Sequence, residues 1–192
     1  MSPIEPSDDI PIQTVYRRAL LFAAERHARK NQMLPDSHVP YTVHIAEVCM
    51  EIMVAGAATS PFDLRLAVQA AGLHDVLEDT DTSPGEIRAE FGDLVARSVG
   101  ALTKSPALPK SLQLRDSLRR ILDCPREIWA VKLADRITNL QKPPSSWTPE
   151  KIRGYHEDAG LILAALKDGN AYLAARLQRE MDAYTAYFSA AE

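Results

Sequence analysis

His74, Asp75, Glu78 and Asp79 follow directly on an apolar stretch, Leu64, Leu66, Ala67, Ala70 and Ala71, with helical spacing. On a continuous helix at ~100° per residue these four ionisable groups fall within an arc of about 140°. Clustered carboxylates repel one another and are costly to desolvate unless a cation or protons compensate. A divalent metal does this, and imidazole with carboxylate suits zinc, manganese or iron(II). A solvated acidic helix end explains Glu78 and Asp79 equally well. It explains His74 and Asp75 less well, because they place a neutral nitrogen donor beside a carboxylate just after a core-like run.

Two residues are too few for a firm metal site, so further ligands are needed. His44 sits among apolar neighbours in Tyr41-Thr42-Val43-His44. As a lone histidine it reads as a core residue bonded to a backbone carbonyl. Asp135 lies in Val131-Lys132-Leu133-Ala134-Asp135-Arg136, deep in an otherwise apolar segment. An aspartate there needs a partner, either a metal or a neighbouring Lys132 or Arg136.

The elements that carry these residues are helices. Apolar residues recur at intervals of three and four almost throughout. The spacing predicts helices over 12–30, 41–57, 62–78, 84–103 with a break at Gly92, 111–122, 125–141, 149–167 and 170–188. Ser60-Pro61, Ser83-Pro84 and Thr148-Pro149 each read as an N-cap hydroxyl before a proline, and Glu86 completes a capping box with Ser83. With only eight glycines and no alternating run closed by a hairpin dipeptide, the fold class is all-α. Trp129, Leu133 and Ile137, and Tyr184, Tyr187 and Phe188, read as core.

The 192 residues carry 46% hydrophobic and 25% charged side chains, an ordinary globular mixture that suits one domain. Residues 1–11 are expected to fray and 12–192 to form the domain. Twenty-two Lys and Arg against 26 Asp and Glu leave a net charge of −4, which argues against a nucleic-acid or anionic-membrane surface. An anionic substrate must then meet local cations, for which Lys104, Lys110, Lys132, Arg136, Lys142 and Lys151 are candidates. The lack of a signal-peptide pattern or an apolar span of ~20 residues points to a cytoplasmic protein. Cys49 and Cys124 read as buried thiols. The oligomeric state is not legible.

Longer strings narrow the chemistry. Pro40-Tyr41-Thr42-Val43-His44, Gly72-Leu73-His74-Asp75-Val76-Leu77-Glu78-Asp79-Thr80-Asp81-Thr82, Phe91-Gly92, Leu102-Thr103-Lys104 and Val131-Lys132-Leu133-Ala134-Asp135-Arg136-Ile137-Thr138-Asn139-Leu140 resemble the hydrolase domain of RelA/SpoT-type alarmone enzymes. The similarity runs from about His27 to Ala164, and its nearest kind is the stand-alone small alarmone hydrolase of the HD-domain phosphohydrolase class. The resemblance implies a single-domain HD fold of about eight to ten helices and one Mn²⁺. It also implies a stringent-response activity: hydrolysis of the 3′-pyrophosphate of ppGpp or pppGpp to a 5′-nucleotide and pyrophosphate. By position it makes His44, His74, Asp75 and Asp135 the metal ligands, and Glu78 and Asp79 the pair that orients or activates water. Asn139, Lys104, Lys110, Trp147 and Tyr155 fall where the family meets its nucleotide.

One departure bears on specificity. The family usually has an Arg-Lys pair before the Tyr and His, to grip base and phosphates, whereas this chain has Met33-Leu34-Pro35-Asp36; the nearest basic pair is Arg29-Lys30. A thioether packs on a purine but cannot donate hydrogen bonds to a guanine carbonyl. Relaxed base selectivity, admitting ppApp or pppApp, is the expectation. Ile45, where the family often has proline, alters helix geometry alone. Two alternatives stand beside this reading. One is an HD-type phosphohydrolase of another nucleotide, such as a nucleoside monophosphate or NADPH. The other is a regulatory partner with an idle site.

Overall fold

A computed structural model describes residues 10–188, and among these the chain is helical with no strand. The helices are α1 (Ile12–Arg29), α2 (Thr42–Ala58), α3 (Leu64–Leu73), α4 (Val76–Asp79), α5 (Pro84–Phe91), α6 (Asp93–Leu102), α7 (Lys110–Leu122), α8 (Arg126–Asn139), α9 (Pro149–Leu166) and α10 (Ala171–Tyr184). Single 3₁₀ turns follow α9 and α10. Of the segment expected to fray, residues 1–9 lie outside the described residues, and Pro11 caps α1.

Two helices are buried on nearly every side. In α3 Leu66, Ala67, Val68, Ala70, Ala71, Gly72 and Leu73 are buried, with α1, α2, α6 and α8 packed around them. In α8 the buried run continues from Ala130 through Thr138, against α2, α3, α9 and α10. A helix apolar all round belongs at the centre of a bundle. The polar residues on α3 and α8 therefore sit where a charge must find a partner.

Local chemistry explains the boundaries. Ser83 Oγ accepts from the Glu86 amide while Glu86 Oε2 accepts from the Ser83 amide, the capping box read from the sequence. Thr148 caps α9 by accepting from the Lys151 amide. Gly92 separates α5 from α6 at φ 87°, a left-handed conformation open to glycine.

Three expectations are corrected. Ser60-Pro61 is a cis peptide outside any helix; α3 begins at Leu64, and its cap is Asp63, which accepts from the Leu66 amide. The helix expected over 62–78 is interrupted: α3 ends at Leu73, His74 and Asp75 form a turn, and α4 is one turn long. The His74 ring takes the Ala71 carbonyl in the last turn of α3, so a side chain competes with the helical ladder there. Tyr187 is 45% exposed, unlike Tyr184 at 1%, because α10 gives way at Thr185 to a 3₁₀ turn that carries Tyr187 outward.

α1 packs tightly on α3 at Gly72, two residues before His74. A β-carbon there would stand 2.8 Å from the Ala19 β-carbon, tighter than side chains tolerate. Gly72→Val is expected to force α1 and α3 apart and cost about 1–3 kcal/mol of stability in urea denaturation. Ala19→Gly in the same chain should recover part of the loss.

Candidate active site

The site is assembled from α2, the α3–α4 turn and α8. His44, in the first turn of α2, points its Nδ1 at Thr138 Oγ1, 3.4 Å away. That hydroxyl already donates to the Asp135 carbonyl at 2.9 Å, so it can only accept from the ring. His74 Nδ1 likewise donates to the Ala71 carbonyl at 2.8 Å. Each neutral imidazole thus keeps its proton on Nδ1 and its lone pair on Nε2. The two Nε2 atoms face each other at 3.3 Å, and both rings are buried.

Two carboxylates close on the same pair of nitrogens. Asp75 Oδ2 lies 2.9 Å from His74 Nε2 and 3.8 Å from His44 Nε2. Asp135 Oδ1 lies 3.5 and 3.6 Å from the same two atoms. His44, His74 and Asp75 each offer one donor atom within 4.8 Å of the others. Four electron-pair donors with both imidazole protons turned away is the donor set of a divalent cation, and the rings are oriented from behind as metal-binding histidines are. The electrostatics agree. Burial disfavours charge on His74, yet Asp75 and Asp135 hold its pKa well above the ordinary value. Burial raises both carboxyls, yet His74 beside Asp75, and Lys132 beside Asp135, hold them low. The cluster attracts positive charge.

Asp135 serves both roles weighed for it. Its Oδ2 accepts from Lys132 Nζ at 2.9 Å, while Oδ1 faces the imidazoles and accepts from Asn139 Nδ2 at 2.5 Å. Asp75 Oδ2 accepts from Tyr41 Oη, also at 2.5 Å. Sequence reading gave no role to Tyr41 or Thr138. Tyr41 stands three residues before His44 and Thr138 three after Asp135, the helical spacing that could have pointed to them. Gln32, which also reaches the site, lies in a loop with no such pattern.

The Glu78 and Asp79 pair splits to two sides. Glu78 is held by Lys104, whose amide donates to Oε2 at 3.1 Å and whose Nζ donates to Oε1 at 2.9 Å. Burial works against the Lys104 charge, but Glu78 raises its pKa. Asp79 accepts from Gln32 Nε2 at 2.8 Å, and its pKa is raised, by burial first and then by Asp75 and Glu78.

The expected nucleotide contacts are reached unequally. Tyr155 stacks on the Arg136 guanidinium, 3.9 Å from its ring centroid, and meets Trp147 edge-on at 4.9 Å. Burial pushes its hydroxyl up to about 12. Lys151 lies over Trp147 at 4.4 Å. Asp36 accepts from the Ser145 amide, tying the Met33 loop to the Trp147 loop. Lys110 is not brought to this cluster; it is exposed at the start of α7. The rim of cations is also smaller than expected, because Lys132 and Arg136 are buried within the bundle. Cys124 is only half-buried.

The sequence family described as HD domain matches residues 19–170. The chain belongs to the HD-domain family. Among curated relatives, this HD domain is 33% identical over 162 residues to the guanosine-3′,5′-bis(diphosphate) 3′-pyrophosphohydrolase MESH1 of Danio rerio, covering 82% of the chain and 87% of that protein. It is 30% identical over 156 residues to human MESH1, covering 79% and 84% respectively. A solved structure described as a metazoan ortholog of SpoT that hydrolyzes ppGpp superposes with a TM-score of 0.76 at 27% identity, over 93% of this chain and 96% of that one. No helix among the described residues is long and apolar enough to cross a membrane.

The Asp79 environment gives a stability test with a defined sign. A carboxyl whose folded pKa lies above its ordinary 3.8 binds a proton more tightly folded than unfolded, so stability falls as pH rises through that interval and stays lowered above it. Asp79→Asn, which can still accept from Gln32, is therefore expected to be more stable than the parent at pH 7 in urea titrations with chelator. The difference should vanish below pH ~3, where the aspartate is protonated in both states.

Proposed function

We propose that this HD domain hydrolyses the 3′-pyrophosphate of alarmone nucleotides, ppGpp and pppGpp, to a 5′-nucleotide and pyrophosphate, with Mn²⁺ held by His44, His74, Asp75 and Asp135. The observation that carries the reading is the facing of two buried imidazole lone pairs between two carboxylates. One turn further on, α4 carries two more carboxyls, Glu78 and Asp79, each held by a partner of its own. Identity to the MESH1 relatives over four-fifths of the chain supports the choice of substrate.

The bound ion supplies Lewis acidity, lowering the pKa of a water and offsetting charge on a phosphoryl oxygen. The chain supplies the rest. Lys104 fixes Glu78 through both carboxylate oxygens, so Glu78 presents a rigid acceptor that aligns the attacking water and takes its proton. Asp79, with its pKa raised by burial, is suited to hold a proton and pass it to O3′ as the O3′–P bond breaks. Asn139, anchored on Asp135, stands at the edge of the site toward ribose and phosphates. Tyr155 and Trp147 form an aromatic wall for the base, with Lys151 over its outer ring and Arg136 beneath.

The base is the least constrained part of the substrate. Met33 is 45% exposed on the loop tied to Ser145, and Lys30 is engaged by Asp81 at 2.7 Å. The Met33 thioether offers no hydrogen bond to a guanine carbonyl, and the Lys30 ammonium is already paired with Asp81.

Three measurements test the reading. With Mn²⁺, the purified protein is expected to release pyrophosphate from ppGpp; orthophosphate alone would indicate a different phosphohydrolase, and no turnover with no bound metal an idle site. His74→Ala and Asp75→Ala are expected to lose metal content and activity together. Glu78→Ala should keep the metal while losing about 10²-fold or more in kcat. Parallel assays of ppApp and ppGpp are expected to give comparable kcat/KM, and a strong preference for guanine would count against the assignment of the Met33 loop.

A further inference from the structure

Asp79 is held by residues outside every motif singled out in the sequence. Gln32 Nε2 lies 2.8 Å from Asp79 Oδ2, and a carboxyl oxygen facing an amide N–H can only accept. The network therefore assigns the amide orientation and turns Gln32 Oε1 toward His27 Nδ1, 2.6 Å away. Since Oε1 has no proton to give, His27 must donate from Nδ1. The three groups form a one-way chain from His27 through Gln32 to Asp79.

The chain is built into the fold. His27 lies in the last turn of α1, is 1% exposed, and stacks against Tyr41 at 5.0 Å. Asn31, at φ 50°, turns the backbone out of α1 so that the Gln32 amide donates to the His27 carbonyl and the Gln32 carbonyl accepts from the Tyr41 amide. Gln32 is thus pinned at both ends of its backbone and both ends of its side chain. His27 Nε2 is buried without a partner. A buried imidazole with one nitrogen unpaired costs more than an apolar residue of the same shape, so its bond to Gln32 is its single evident use.

We propose that Gln32, with His27 behind it, is a positioning residue that occupies Asp79 Oδ2 and leaves Oδ1 as the oxygen facing the reaction. This rests on the role given to Asp79 above. A proton delivered from a carboxyl free to rotate reaches its target in fewer encounters than one delivered from a carboxyl with one oxygen already held.

The test is steady-state pyrophosphate release from ppGpp by the Mn²⁺-loaded full chain, with metal content and thermal midpoint measured alongside. Gln32→Leu is expected to lower kcat about 10–100-fold with KM and metal content unchanged, and to lower the midpoint because His27 Nδ1 loses its partner. The pH limb of kcat that belongs to Asp79 should move to higher pH, because a bond stabilising the carboxylate is gone. In an Asp79→Asn chain the same substitution should cause no further loss. His27→Leu should mimic Gln32→Leu, while His27→Asn, which keeps a donor at the Nδ1 position, should retain most activity. If Asp79→Asn is impaired and Gln32→Leu is not, the positioning role is overturned and the Asp79 role survives. Full activity in Asp79→Asn overturns both. Independently of turnover, nitrogen-15 shifts should show His27 protonated on Nδ1 and responding to Gln32→Leu; the Nε2–H tautomer overturns the chain.

Discussion

Two imidazole nitrogens that both present lone pairs cannot rest 3.3 Å apart inside a protein unless positive charge lies with them. That constraint organises the molecule. The Ala71 carbonyl and the Thr138 hydroxyl each take a ring proton away from the centre, and the two carboxylates face the side left open. A cation completes the arrangement, which links its affinity to the integrity of three separate segments.

Placing such a cluster inside a bundle demands rigid supports, and α3 and α8 provide them. Both are buried along most of their length, so their ends cannot drift without opening the core. The helical ladder yields where the chemistry needs it: α3 stops at Leu73, letting His74 and Asp75 occupy a turn rather than successive helical positions. Around this rigid centre lie loops. The Met33 and Trp147 loops are joined by one Asp36–Ser145 hydrogen bond. In the proposed reading metal chemistry rests on packed helices and base recognition draws on connections, the usual division between scaffold and specificity.

The two carboxyls of α4, Glu78 and Asp79, differ in how they are restrained. Glu78 is fixed by an ion pair and a backbone amide, both with Lys104. Asp79 is fixed by a neutral amide and is buried enough that its proton is retained to higher pH. Adjacent carboxyls in unlike environments can share one reaction as opposite partners in proton transfer.

Much of this was legible from residue types and spacing alone. Helical periodicity, the Ser83 and Thr148 caps and the Gly92 break set the elements, because each is a local property of a few neighbouring residues. The grouping of His44, His74, Asp75 and Asp135 comes from the resemblance to the RelA/SpoT-type hydrolase domain; residue types alone leave His44 as a core histidine and Asp135 with Lys132 or Arg136 as a partner. What only the tertiary structure decided lies in contacts between residues far apart in the chain. The break after Leu73, the Lys104 clamp on Glu78, the burial of Lys132 and Arg136, the isolation of Lys110, and the reach of Gln32 to Asp79 all depend on which surfaces meet when the helices pack. Local sequence sets what a segment can form, whereas the partner of a buried polar group is chosen by packing across tens of residues, which leaves no periodic trace.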